Sequence, residues 1–312
     1  MKILFLGASN TDCDHCFSED NLGYGYVKMV HDLLQTAQKN IPSKISLSAA
    51  DCSLQIHAGH SGTPSSLPKG VCTSTIIING GTDGFTFPRI YRKWEQNWKG
   101  TAFDAVFILG GINEVGALMD SGMDETSHRE LLQHSADALS SLLASLSVSG
   151  CPQIFVLEPF LFDTPEYLKS WMETLEEVRE MIRQTVASHR GNILSVSDLS
   201  SNSEFPVHFD RITKSVLPAF FSLRTDSGFH ATPDHMSADI SRIQTVQNSF
   251  CRVHLLPTQP LLDDAVQKAE ISEITKDGIH LAQEGHRVLA EMIVNLIDTM
   301  NTARRIANVN NC

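Results

Sequence analysis

Four short runs, "KILFLG" from Lys2, "TIIIN" from Thr75, "AVFILG" from Ala105 and "QIFVLE" from Gln153, are almost continuously apolar, and segments of helical period separate them. A strand that is apolar on both sides has to be covered on both faces. With a helix between successive strands, the pattern predicts βαβ units around a central parallel sheet of about five strands. The helical stripes are Val27, Val30 and Leu34; Leu139, Leu142, Leu143 and Leu146; a long run from Leu168 to Val186; and a last one after His280 that includes Leu289, Ile293 and Ile297. All of them read as faces packed on a core. Two segments compete for the fifth strand, "NILSV" from Asn192 and "RVHLL" from Arg252. The first is preferred because it follows a long helix after a short loop. That choice makes residues 1–312 one domain with an insertion at about 200–276, too long to be a bare loop.

Composition narrows the classes of partner. The chain has 312 residues, 42% hydrophobic and 19% charged, enough to bury a full core. Its net charge of −12 opposes binding to nucleic acid or an anionic membrane surface and leaves a small or neutral molecule as the expected ligand. No run reaches the roughly 18 apolar residues of a membrane span, and Met1 is expected to begin the fold rather than a signal peptide. The seven cysteines are scattered and odd in number, which fits reduced thiols and a cytoplasmic location.

In an open parallel sheet, ligands bind beyond the carboxyl ends of the strands, so the residues just after each apolar run carry most of the information. Ser9 follows the first in "GASNT", Gly81 and Gly84 follow the second in "NGGTDGFT", and Asn113 follows the third in "GGINEVG". Near the C-terminus, "KDGIHLAQEGH" sets Asp277 three residues before His280, at the start of a helical pattern. A serine hydroxyl becomes a competent nucleophile when an imidazole takes its proton, and a carboxylate on the other ring nitrogen orients that imidazole. Ser9, His280 and Asp277 can fill those roles. The Ser9 N–H, the Gly84 N–H and the Asn113 side-chain amide are candidate donors to a developing oxyanion, with Asn79 ordering the loop. The reaction so assembled calls for no cofactor and no metal.

These four blocks, in this order, resemble those of the SGNH hydrolases, also called GDSL-type esterases and lipases. The resemblance implies a flavodoxin-like three-layer α/β/α fold. It assigns Ser9 as nucleophile, Gly84 and Asn113 to the oxyanion hole, and Asp277 with His280 as the orienting and proton-transferring pair. The implied activity is cleavage of small-molecule carboxylic esters through an acyl-serine intermediate. A thioesterase or acyltransferase built on the same site, or a silent flavodoxin-like ligand-binding protein, are the alternatives. Two positions depart from the family pattern: Ala8 stands where aspartate usually precedes the serine, and Glu114 where aspartate usually follows the asparagine.

Other features carry less. Ser9 could merely cap a helix. Ser61 in "GHSGT" approaches a G-x-S-x-G elbow, but Thr63 occupies the last glycine position. "CDHC" at Cys13–Cys16 lacks the second ligand pair of a structural zinc site, and a thioredoxin-like redox pair would need to sit at a helix N-terminus, so the segment is expected to line the loop beside Ser9. His230, Asp234 and His235 read as loop residues.

Overall fold

The computed structural model describes residues 1–39, 75–119, 122–189, 191–193 and 251–310. Strands β1 (Lys2–Gly7), β2 (Ile76–Gly81), β3 (Ala105–Leu109) and β4 (Gln153–Leu157) coincide with the four apolar runs. The sheet is completed by β5 (Asn192–Ile193) and β6 (Arg252–Leu256), in the order β2-β1-β3-β4-β6-β5 with every pair parallel. From β1 the chain goes to β2 at one edge and then crosses to β3 on the other side, so the strand order reverses beside β1; after β4 it reaches the far edge as β5 and returns as β6 between them.

The fifth strand differs from the expectation. "RVHLL" pairs along the whole length of β4, from Gln153 with Arg252 to Leu157 with Leu256, whereas Asn192 and Ile193, the described residues of the favoured "NILSV", pair on the outer side of β6. Both segments carry enough apolar residues for a buried strand. The open edge of β4 selects the one that can bury Val253, Leu255 and Leu256. Residues 251–276 are therefore part of the sheet and its helical cover, not of an insertion. Residues 200–250 lie outside the described residues, as do Ser61, His230, Asp234 and His235.

Helices sheathe both faces. On one lie α2 (Tyr26–Lys39), α7 (Gln259–Val266), α8 (Ile271–Ile274) and α9 (Gln283–Asn310); on the other, α3 (Phe87–Asn97), α4 (Ile112–Leu118), α5 (Glu125–Val148) and α6 (Met172–Ser188). The long stripe from Leu168 is divided, with a 3₁₀ turn over Glu166–Trp171 before α6. A short α1 (Ser9–Asp12) follows β1 directly. No helix among the described residues is long and apolar enough to cross a membrane.

Alternation along β1 sends Ile3 and Phe5 to one core and Leu4 and Leu6 to the other. Phe5, Phe107, Phe155 and His254 occupy matching positions on four adjacent strands. Their rings stack in a row with centroids 5.1, 4.7 and 4.8 Å apart. A one-residue slip would turn these rings to the opposite face, so the row specifies register. Phe107→Ala, in the middle of the row, should cost about 3–5 kcal/mol, measured by urea unfolding.

Glu114, one of the two departures from the family pattern, joins three helices. From α4 its Oε1 accepts the N–H of Phe87, the first residue of α3, at 2.5 Å, and the Ser135 hydroxyl of α5 at 3.4 Å. Thr86, the residue before α3, makes no side-chain cap, so the carboxylate from α4 serves that helix end. Glu114 is wholly buried and its Oε2 has no partner among the described residues. Burial pushes its carboxyl up to about 7, against the lowering effect of the Phe87 N–H and its other hydrogen bonds. The unfolded chain then releases this proton at lower pH than the folded one, and stability is lost as pH rises from about 4.5 through about 7. Glu114→Gln should abolish that loss. Its stability relative to wild type should rise by on the order of 3 kcal/mol between about pH 4 and about pH 8 in denaturant titrations.

Candidate active site

Three of the four sequence blocks meet because their strands end level. Gly7 of β1 pairs with Gly81 of β2 on one side and with Leu109 of β3 on the other. The segments that leave these strands, with Ser9, Gly84 and Asn113, therefore emerge side by side at the carboxyl edge of the sheet. Two cross-links hold them there: the Thr82 N–H donates to the Gly7 carbonyl at 3.0 Å, and the Ala8 N–H to the Leu109 carbonyl at 3.3 Å.

Ser9 is the first residue of α1, and the capping position belongs to Ala8, which disposes of a capping role for the serine. As the first helical residue it has an N–H with no carbonyl of its own helix to bond. Ala8 is buried and lines a small cavity with Asn10, Leu109, Ile112, Pro159 and Phe160. A carboxylate there, as in the family pattern, would enter this largely apolar lining, and alanine fills it without a charge.

Asn79 ties the second block to α1. Its amide donates to the carbonyls of Thr11 at 2.7 Å and Leu22 at 2.8 Å, and its Oδ1 accepts the Gly81 N–H at 2.9 Å. It orders the loop, as expected. At Gly81 a β-carbon would come within 2.3 Å of the Asp12 nitrogen, so only glycine allows α1 to lie this close. Gly84 is exposed and its N–H has no partner among the described residues. Asn113, in the first turn of α4, donates one amide hydrogen to the Phe85 carbonyl at 2.9 Å, next to Gly84. A primary amide has a second hydrogen to give.

The fourth block is a turn closed at its base. The Lys276 N–H donates to the His280 carbonyl at 2.8 Å, the Thr275 hydroxyl reaches the same oxygen at 2.9 Å, and Thr275 bridges to Leu281. Within it, Asp277 Oδ2 lies 2.7 Å from His280 Nδ1, and Oδ1 accepts the N–H groups of Ile279 at 2.9 Å and His280 at 2.7 Å. Partial burial raises the Asp277 pKa, but these hydrogen bonds and the His280 charge outweigh it and hold the carboxyl below its usual value. With Nδ1–H engaged by the carboxylate, His280 keeps Nε2 as its free acceptor. The His280 side chain is 42% exposed, so that nitrogen can be approached from solvent.

A residue not singled out in the sequence brings this turn to Ser9. Asn10, buried, donates from Nδ2 to the Ile279 carbonyl at 3.0 Å and accepts the Leu281 N–H on Oδ1 at 2.9 Å. The side chain next to Ser9 thus grips the residues on either side of His280. Its partners are some 270 positions away in sequence, and an asparagine after a serine carries no local mark of such a role. Behind α1, the Cys13 thiol donates to the Asn10 carbonyl at 3.2 Å. Among the described residues no cluster of His, Cys, Asp and Glu could hold a metal ion.

No protein-family model matches the chain, and no curated protein matches it. Solved structures do. The acetylxylan esterase Axe2 from Geobacillus stearothermophilus is 17% identical over 94% of this chain and 92% of that one, with a TM-score of 0.53. Variants of Axe2 at a serine and at an aspartate are described as catalytic mutants of that enzyme. LAE5, an alpha/beta hydrolase enzyme from the metagenome of Lake Arreo, is 15% identical over 94% and 93% of the two chains, with a TM-score of 0.52. A protein from Parabacteroides merdae, described as a GDSL-like lipase, is 17% identical over 93% and 92%, with a TM-score of 0.53. Likeness over nearly the full length, together with the parallel sheet covered on both faces, shows that this chain has an SGNH/GDSL hydrolase-like fold.

Proposed function

We propose that the protein is a serine hydrolase of the SGNH type that cleaves carboxylic esters of small molecules through an acyl-serine intermediate. The observation that carries this reading is the His280–Asp277 pair, joined at 2.7 Å, in a turn that is hydrogen-bonded on both sides of His280 by Asn10, the residue after Ser9. Ser9 Oγ attacks the ester carbonyl while His280 Nε2 takes its proton; the imidazolium then gives that proton to the leaving alkoxide. Asp277 orients the ring and stabilises its cationic form. The tetrahedral oxyanion is received by the Ser9 and Gly84 N–H groups and the second Asn113 amide hydrogen. Water enters by the same base and releases the acid. Since the fold is shared with an acetylxylan esterase, acetylated xylan belongs among the substrates to try first.

Hydrolysis of p-nitrophenyl acetate, with labelling by a fluorophosphonate probe, tests the assignment. Ser9→Ala and His280→Ala should each lower kcat by about 10⁴-fold or more, and Ser9→Ala should lose the label. Asn113→Ala should cost about 100-fold to 1,000-fold. Equal rates for wild type and Ser9→Ala would overturn the reading, and faster turnover of acyl-thioesters than of the matching oxygen esters would move it to a thioesterase.

Asn10→Ala removes both bonds to the turn that carries His280. It should lower kcat by about 10-fold to 100-fold with KM nearly unchanged, because a small misplacement of the base acts on the transition state more than on substrate binding. Stability should fall by about 1–3 kcal/mol, since the Leu281 N–H is left unpaired in the interior. Steady-state kinetics and urea unfolding of the same preparation check both parts.

A further inference from the structure

The last residue of α1 and the turn after it supply a carboxylate, a base and a nucleophile that the proposed ester chemistry does not use. His15 Nδ1 lies 2.5 Å from Asp12 Oδ1, and the other nitrogen of the ring, Nε2, lies 3.5 Å from the Cys16 thiol. Asp12 Oδ2 is occupied by the Asp83 N–H at 2.9 Å, so both carboxylate oxygens are engaged and the imidazole has one free acceptor, facing the sulfur. The Asp12 and His15 side chains are only 20% and 13% exposed, whereas Cys16 is open to solvent. The base is shielded and its nucleophile is presented outward, the arrangement that activates a thiol.

The backbone that makes this possible is sterically costly. Cys13 and Asp14, neither of them glycine, adopt consecutive left-handed conformations with φ of 40° and 60°, and this reversal carries His15 back over Asp12. Lys93, fixed by the Gly81 carbonyl at 2.7 Å and the Thr82 hydroxyl at 2.5 Å, adds a positive charge that acts on both Asp12 and Cys16. Cys13 also has a histidine nitrogen nearby, His286 Nε2 at 3.6 Å, but its thiol is half-buried and faces the Ser9 and Asn10 carbonyls, and burial pushes it up to about 12.

We propose that Asp12, His15 and Cys16 form a second nucleophilic centre, independent of Ser9, at which Cys16 exchanges with small-molecule disulfides. His15 Nε2 takes the thiol proton, and the Cys16 thiolate attacks one sulfur of R–S–S–R. A protein–S–S–R bond forms, the R–S–S–R bond breaks, and the leaving RS⁻ receives the proton from His15 as RSH. The disulfide is the oxidant: the Cys16 sulfur lone pair makes the new S–S bond, and RS⁻ leaves with the electron pair of the old one.

The test uses the full chain with dithiodipyridine and with oxidised glutathione at about neutral pH, following thiol release and locating the adduct by mass spectrometry. Cys16→Ser defines the signal from all other cysteines. The Cys16 phase should be about 10-fold or more slower in His15→Gln, and Asp12→Asn should slow it as well. Ser9→Ala should leave it intact, which separates this centre from the ester-cleaving site. Because a variant may perturb the fold, the second measurement uses wild type alone: in guanidinium, where the relay is gone, Cys16 should react more slowly than in the folded protein. A Cys16 phase as fast in His15→Gln as in wild type, or as fast unfolded as folded, would overturn the proposal.

Discussion

Gly7 has Gly81 as its partner on one side and Leu109 on the other, and the positions of Ser9, Gly84 and Asn113 follow from that pairing. Parallel strands can be shifted by one residue only by exchanging the faces of every side chain. Here such a shift would send Ile3 and Phe5 into the core that Leu4 and Leu6 fill, and it would break the ring row through Phe5, Phe107, Phe155 and His254. Core packing therefore levels the strand ends, and level strand ends bring three short segments, drawn from three separate parts of the chain, to one edge.

Packing alone does not aim side chains, and polar groups buried at that edge do the finer positioning. Asn79 ties α1 to the second strand, Asn10 ties it to the turn of Asp277 and His280, and Glu114 ties α4, which carries Asn113, to the start of α3. A buried hydrogen bond contributes only modestly to net stability, whereas a buried polar group left unpaired is costly. These residues therefore select one arrangement more than they strengthen the fold. Glu114 departs from this economy, with one carboxylate oxygen unpartnered among the described residues and its ionisation opposed by burial.

How much was legible in the sequence depended on whether the determining contact was local. β1 to β4 were read correctly because a strand buried on both faces is marked by its own apolar run. Both "NILSV" and "RVHLL" enter the sheet; they are alike in that respect, and only the open edge of β4 decides that "RVHLL" lies next to it and "NILSV" beyond. Asn79 was recognised as a loop-ordering residue from its place between a strand and glycines. Asn10 was passed over, since its partners Ile279 and Leu281 are brought near by the closing of the whole sheet.

By itself the sequence determined the class of fold, through alternating apolar runs and helical stripes, and the identity of the groups that could act, through their places after those runs. Tertiary structure decided which segment pairs with β4, that Asn10 grips the turn of His280, that Glu114 serves the end of α3, and that His15 faces both Asp12 and Cys16. The physical reason is range. Periodicity and turn chemistry act over a few residues and are written in the residues themselves, whereas strand pairing and buried hydrogen bonds join positions whose proximity exists only once the chain has closed on its core.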